Sequence, residues 1–371
     1  MQAGAFGFRV LARSGAARRG VFATPHGAVE TPAFMPVGTR GSVKGVLPRD
    51  LRAVGTQMVL ANTYHLHLRP GEEVVHALGG LHRFMGWDGP LLTDSGGYQV
   101  FSLEQLVQVD DDGATFRSVV DGSAVRMTPE SAVEIQARLG ADVAMAFDHC
   151  PSDPKDRATV AAACERTHRW LERCVRRHAD LGGETRGQAL FGIVQGGAFE
   201  DLRAASVDAV CAHDLPGYAI GGVSLGEDRA ALHAAVAYTA PRLPDDRPRY
   251  LMGVGTPADF FAAVAAGVDL FDCVTATRHG RTHQAFTRAG RLNLRNAAFT
   301  RDPGPLEEDC DCPACTGFSR GYLRHLCRSK EMLGAELLTL HNLRHFHRLL
   351  EGLRAAIAAD RVAAFRAEWE R

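Results

Sequence analysis

The chain has 371 residues, 46% of them hydrophobic and 23% charged, with a formal net charge of −1. That length buries a substantial core in one large domain or in two to three smaller ones, and the near-neutral total excludes a uniformly basic, polyanion-coating protein. No apolar run approaches the roughly 18 residues of a membrane span, and nine cysteines with no signal peptide point to a reducing cytoplasm, which sets aside membrane and disulfide-scaffold classes.

The N-terminus alternates through Phe6, Phe8 and Val10, the period of a half-buried strand. Short apolar runs then recur at 34–37, 58–61, 91–93, 143–147, 190–194, 218–220, 250–253 and 268–271. Each ends in polar or glycine residues, and most precede a helical stretch. Near-continuous apolar strands alternating with helices indicate a parallel α/β sheet buried on both faces. Helix starts are legible where a capping hydroxyl precedes proline, at Thr128-Pro129-Glu130 and Thr256-Pro257. Eight such units in about 250 residues fit a (β/α)8 TIM barrel better than the alternative, a doubly wound open sheet.

The stretch around 103–127 breaks this alternation. Asp110-Asp111-Asp112-Gly113 and Asp121-Gly122 are turn signals between short alternating strands, which predicts a β-hairpin inserted between the third barrel strand and its helix. The expected organisation is a barrel with this insertion over 1–273, a basic, cysteine-bearing subdomain over 274–340, and a C-terminal helix over 341–371 that closes the barrel.

Within that second segment stands Cys310-Asp-Cys312-Pro-Ala-Cys315, with His341 further on. Three thiolates and an imidazole are the donor types that close a tetrahedron around one zinc ion per chain, and four protein ligands make such a site structural. Cys327, His325, His345, His347, His279 and His283 lie nearby, so spacing fixes the first three ligands better than the fourth. A set of reduced buried cysteines or a disulfide is the plainer alternative, and the tight cluster argues against it.

Charge is unevenly spread. Positions 274–348 hold 12 Arg and Lys against 7 Asp and Glu, and 274–301 hold six arginines (278, 281, 288, 291, 295, 301) with no acid. A local basic surface beside an acidic body suits phosphate binding; a solvated charged loop is the competing reading.

In a barrel of this kind the site is built at the C-terminal ends of the strands. Those ends read Asn62, Asp94-Ser95-Gly96-Gly97-Tyr98-Gln99, Asp148, Gln195-Gly196-Gly197, Gly221-Gly222, Met252-Gly253 and Asp272-Cys273. A single aspartate after a strand is more often a cap or an ion-pair partner. Three on one mouth, beside glycines that let a ligand reach the backbone, point to a site. The chain has no Walker loop, dinucleotide fingerprint or Ser-His-Asp pattern. Paired carboxylates suit cleavage of a glycosidic bond, one attacking the anomeric carbon and one moving a proton. Gln195 and the Gly221-Gly222 backbone suit the edge of a purine, and Tyr98 and Met252 could sandwich its ring.

Taken together, Thr93-Asp94-Ser95-Gly96-Gly97-Tyr98-Gln99-Val100-Phe101, Gln195-Gly196-Gly197, Ile220-Gly221-Gly222, Tyr250-Leu251-Met252-Gly253-Val254-Gly255, Phe271-Asp272-Cys273 and the Cys310/Cys312/Cys315/His341 set resemble a bacterial tRNA-guanine transglycosylase, in order and over essentially the whole chain. The resemblance implies a cytoplasmic, zinc-containing homodimeric barrel. It would exchange guanine at the wobble position of GUN-anticodon tRNAs for 7-aminomethyl-7-deazaguanine, on the way to queuosine. It further implies Asp272 as nucleophile on ribose C1′ and Asp94 as general acid/base. Asp148, Gln195, Gly221 and Gly222 would hold the base, Tyr98 and Met252 would stack on it, and Arg278 and Arg281 would grip the anticodon loop.

The chain departs from the family pattern at Thr282-His283 (commonly Asn-Gly), Ala276 (commonly Pro), His149 (commonly an acid) and Val223-Ser224-Leu225 (commonly Leu-Ala-Val). These positions bear on base choice and RNA grip. Two rival readings are a small-molecule nucleoside hydrolase or glycosidase, and a non-catalytic RNA-binding paralogue. The first leaves the cysteine cluster and the arginine run unexplained; the second does not need all three aspartates.

Overall fold

The structure, a computed structural model, describes residues 6–103, 107–223 and 228–370. Its centre is one sheet of eight strands, Ala33–Pro36, Val59–Ala61, Leu91–Thr93, Val143–Met145, Ala189–Val194, Gly217–Ile220, Arg249–Leu251 and Leu270–Cys273. The second to eighth pair in parallel in chain order, the eighth pairs with the first, and a parallel bridge between Val37 and Leu60 joins the first to the second. The result is the expected (β/α)8 barrel, and each of the eight apolar runs supplies one strand.

Both faces of every strand are buried, which is why the runs lack polar alternation. Met35, Leu60, Leu92, Met145, Phe191, Ile193, Ala219, Tyr250 and Leu270 form the inner core. Phe34, Val59, Leu91, Ala144, Leu190, Tyr218, Leu251 and Phe271 face the surrounding helices. The helix Pro129–Leu139 begins in a capping box, with the Ser131 N–H donating to Thr128 Oγ1 at 3.2 Å and the Thr128 N–H to Ser131 Oγ at 2.8 Å. Thr256 and Asp259 repeat the arrangement at Pro257–Ala265.

An antiparallel sheet of Gly7–Ser14, Ala17–Thr24 and Gly27–Thr31 precedes the barrel. Its Phe22 and Val29 join the inner core at the N-terminal end of the barrel, with the Phe22 ring centroid 5.8 Å from that of Phe191. Arg18 forms a fully buried ion pair with Asp269, whose Oδ2 also accepts the Arg249 N–H at 2.7 Å. This end of the barrel is therefore plugged and anchored, leaving the opposite mouth for ligands.

Two expectations change. The insertion is a three-stranded antiparallel sheet, Gln108–Val109, Ala114–Arg117 and Ala124–Met127, because each of the two turn signals joins a pair of strands. The long C-terminal helix begins at Met332, runs to Ala358, and holds His341 in its interior. Its first turns are nucleated by burial: Leu337 and Leu338 pack into a separate core with Cys312, Ala314 and Leu323. Gly334 there fits closely against Leu326, where a Cβ would lie 3.0 Å from the leucine side chain. None of the described helices is long and apolar enough to cross a membrane.

Candidate active site and metal centre

The C-terminal strand ends bring together the three aspartates. Asp94, following the third strand, is buried. Its Oδ1 accepts the Thr63 N–H at 2.8 Å, and its Oδ2 accepts from Asn62 Nδ2 and, at 2.9 Å, from Gln99 Nε2. Burial dominates these hydrogen bonds, and the charge of Asp272 adds to it, so the carboxyl is raised to about 6. That is close to the neutral range in which one group can both give and take a proton. Gln99 Oε1 is buried without a partner among the described residues, so a turn of the amide would offer an acceptor to a protonated Asp94.

Asp272 ends the eighth strand. Its Oδ1 accepts from Tyr250 Oη at 2.6 Å and from the Gly253 N–H at 2.7 Å. Its Oδ2 has no donor among the described residues. Burial raises its pKa, against these two hydrogen bonds. One oxygen is thus fixed and the other left uncommitted, the arrangement a carboxylate nucleophile requires.

Asp148 follows the fourth strand; its Oδ1 accepts from Ser95 Oγ at 2.9 Å and its Oδ2 from Gln195 Nε2 at 2.7 Å. Gly222 lies against Gln195 at φ +65°, where a Cβ would overlap Gln195 Oε1, so only glycine fits. Gly221, Gly222 and Gln195 therefore form one wall with Asp148. Tyr98, half exposed on the helix Gly97–Leu103, and the half-buried Met252, in the turn after the seventh strand, belong to the same mouth. Ser224 and Leu225 fall outside the described residues.

The helix Thr275–Arg281 leaves the eighth strand directly and carries Arg278 and Arg281. Neither forms an ion pair among the described residues, and Arg281 is lowered in pKa by partial burial and by the charge of Arg278. Arg288, in contrast, pairs with Asp309 at 3.0 Å, and Arg291 Nη1 lies 3.0 Å from His279 Nε2. The acid-free run thus divides into committed and uncommitted arginines, a division sequence alone does not reveal. His283, where glycine is common, adopts φ +66°. The His149 ring lies tilted against Phe101, centroids 4.6 Å apart, and 3.2 Å from Arg166; burial and that charge lower it to about 4, so it is a neutral ring.

Cys310, Cys312, Cys315 and His341 converge, their donor atoms all within 4.8 Å of one another. The three sulfurs lie 3.7, 3.5 and 3.3 Å from His341 Nδ1. Zinc–ligand bonds of ordinary length at tetrahedral angles give a sulfur–nitrogen edge of about 3.6 Å, so the residues fit the ion. His341 Nε2 lies 2.7 Å from the Phe286 carbonyl, which fixes the tautomer that frees Nδ1 for metal. His341, rather than the six neighbouring candidates, completes the set of a structural zinc site.

A second group, His26, His82 and Asp142, stands at the plugged end of the barrel beside a cavity of about 470 Å³. Its imidazole rings stack at 3.6 Å and 18°, each turning a nitrogen to Asp142, at 2.7 and 3.1 Å. Parallel stacked rings cannot both aim in-plane lone pairs at one ion, so this is a hydrogen-bonded cluster rather than a metal centre.

Two residues that hold the site escaped the sequence reading in their roles. Tyr250 stood in an apolar run and in a family motif with no role for its hydroxyl, and Arg203, on the helix Glu200–Cys211, carried no motif signal; it bonds to Gly197, Gly221 and Gly222 carbonyls.

Comparison with known proteins agrees with this geometry. A family model described as queuine tRNA-ribosyltransferase matches residues 13–371. A queuine tRNA-ribosyltransferase of Thermus thermophilus is 56% identical over 367 residues, covering 99% of this chain and 94% of the relative. Those of Thermosynechococcus vestitus and Nostoc sp. are 54% and 53% identical, over 95% and 98% of this chain and 92% and 96% of their own lengths. The chain belongs to the queuine tRNA-ribosyltransferase family.

Proposed function

We propose that the chain exchanges guanine at the wobble position of GUN-anticodon tRNAs for a 7-substituted deazaguanine by double displacement. The family is one of pentosyltransferases acting on tRNA guanine. The observation that carries the mechanism is the asymmetry of the two carboxylates: Asp272 keeps Oδ2 uncommitted, while Asp94 is raised to about 6.

Asp272 Oδ2 bonds to ribose C1′ as the C1′–N bond breaks, and the departing guanine takes the proton of Asp94. The incoming base returns a proton to Asp94, its ring nitrogen attacks C1′, and the bond to Asp272 breaks. Two inversions restore the original configuration. Asp148, Gln195, Gly221 and Gly222 hold the purine edge, Tyr98 and Met252 stack on its faces, and Arg278 and Arg281 contact the anticodon loop. A loop base is already poorly stacked and therefore inexpensive to extract.

Leu225 in the sequence favours a compact base, 7-aminomethyl-7-deazaguanine, over bulky queuine, and Ser224 offers a polar partner for the aminomethyl group. Self-association is supported by Tyr322, Met332 and Leu333, which leave apolar side chains 41%, 88% and 40% exposed on adjacent helices. A homodimer in the cytoplasm is the expected working form.

The test is incubation with radiolabelled guanine and unmodified tRNA of GUN anticodon. Label entering the RNA is expected; its absence, with free base released when guanosine is supplied instead of tRNA, would favour the small-molecule hydrolase. Competition of 7-aminomethyl-7-deazaguanine, 7-cyano-7-deazaguanine and queuine against guanine tests the base preference, which a clear win for queuine overturns.

A further inference from the structure

Arg203 is a buried cation whose guanidinium spans two loops. Its Nε donates to the Gly197 carbonyl at 2.6 Å, and its Nη2 to the Gly221 and Gly222 carbonyls at 3.0 and 3.4 Å. The residue has 0% of its surface exposed. These carbonyls belong to the ends of the fifth and sixth strands, which carry Gln195 and Gly222. Lysine could not reproduce this bracing, since three carbonyls need a planar fork with several fixed donors.

A peptide unit is planar and trans, so tying the Gly221 carbonyl to Arg203 turns the Gly222 N–H the opposite way. Arg203 belongs to the helical layer outside the sheet, and the opposite direction faces the mouth, beside Gln195 and Asp148. The Gly222 N–H has no acceptor among the described residues. Gly221 is held on its other side by its own N–H, which donates to the Val194 carbonyl at 2.9 Å, so the loop has little freedom to turn.

We propose that Arg203 is a positioning residue that aims the Gly222 N–H at the 6-carbonyl oxygen of a guanine-type base, so that selection of 6-oxo over 6-amino purines is set by a side chain that never touches the base. A 6-amino purine would set an N–H against the fixed Gly222 N–H, leaving both donors unpaired in a buried pocket. The proposal rests on the reading of the mouth as a guanine site.

The test compares wild type with R203K and R203Q, measuring KM for guanine, the inhibition constant of 2,6-diaminopurine, KM for tRNA and the thermal midpoint. R203K keeps the buried charge and reaches one carbonyl. Its KM for guanine is expected to rise about tenfold, the equivalent of one lost hydrogen bond. The preference for guanine over 2,6-diaminopurine should shrink by a similar factor, and KM for tRNA should change far less. A general loosening of structure would raise both base constants together and leave the preference intact, which overturns the proposal. Should neither variant fold, a crystal structure of the wild-type enzyme with guanine decides: Gly222 N within hydrogen-bonding distance of the 6-oxygen, with Arg203 still on the Gly197, Gly221 and Gly222 carbonyls, supports it, and an oxygen out of that reach overturns it. Wild-type enzyme that incorporates no guanine at all would instead refute the functional reading beneath it.

Discussion

Asp94 carries a cost in its folded setting. It titrates near 6, against 3.8 for an unperturbed aspartate. Between those values the folded chain holds the proton more tightly than the unfolded one. Stability therefore falls as pH rises through that window, and the full penalty stands above about 6. D94N removes the charge and keeps a similar shape. It is expected to raise the unfolding free energy at about pH 8 by on the order of 2–3 kcal/mol, to gain almost nothing near pH 4, and to abolish exchange. Urea titrations at the two pH values check this; a variant less stable than its parent at the higher pH would mean that the hydrogen bonds from Asn62, Thr63 and Gln99 outweigh burial. D272A is expected to lose exchange by several orders of magnitude while binding tRNA nearly as well, because phosphate contacts dominate affinity. Wild-type enzyme should form an RNA adduct that survives a denaturing gel, and D272A should form none. The three aspartates were legible from their place after apolar runs. The Tyr250 hydroxyl and the Arg203 fork were not, because their partners are distant in sequence and a strand or helix pattern says nothing of what a side chain reaches.

Elements show the same contrast. Strands buried on two faces announce themselves as apolar runs, and Thr-Pro pairs mark the caps. The hairpin of Gln284–Thr287 and Gly290–Asn293 does not, since it is largely half-buried or exposed and turns through Arg288-Ala289 rather than a glycine–asparagine type pair. The start of the helix Met332–Ala358 was missed because its first turns bury leucines against the zinc subdomain rather than the barrel. That helix packs closely on Thr275–Arg281 at Gly280, where a Cβ would lie 2.6 Å from the Thr339 backbone nitrogen. Alanine gains about 1 kcal/mol in intrinsic helix propensity. Overpacking against a backbone that cannot rotate away costs about 1–3 kcal/mol, so G280A should be net destabilising and should weaken tRNA binding by tilting the helix that carries Arg278 and Arg281. Equal thermal midpoints and equal tRNA affinity would show that the two helices slide apart freely. The zinc ligands tie Pro313–Gly317 to the same long helix. C312S or prolonged chelation is expected to empty the site and lower the thermal midpoint by several degrees, because metal binding is local folding energy. Elemental analysis finding no zinc in the parent protein would contradict the site outright.

For the whole molecule, a total charge of −1 hides an acid-free run of six arginines at 274–301, and the structure divides them by what they already hold. Removing an uncommitted arginine such as Arg278 or Arg281 should lower tRNA affinity and reduce the slope of log affinity against log salt by about 0.7–0.9. R288A, which breaks a contact to Asp309, should change stability more than the salt slope. Identical slopes for wild type, R278A and R281A would place the RNA elsewhere.

The barrel also orders events in time. Asp94 follows the third strand and Asp272 lies on the last, and the eighth strand completes the ring by pairing with the first. A chain still emerging from the ribosome is surrounded by tRNAs bearing the very bases it would attack. Under the proposed mechanism, a chain without its final strand has neither Asp272 to attack ribose nor a closed mouth to hold it, so an unfinished copy would not become trapped on the RNA that is translating it.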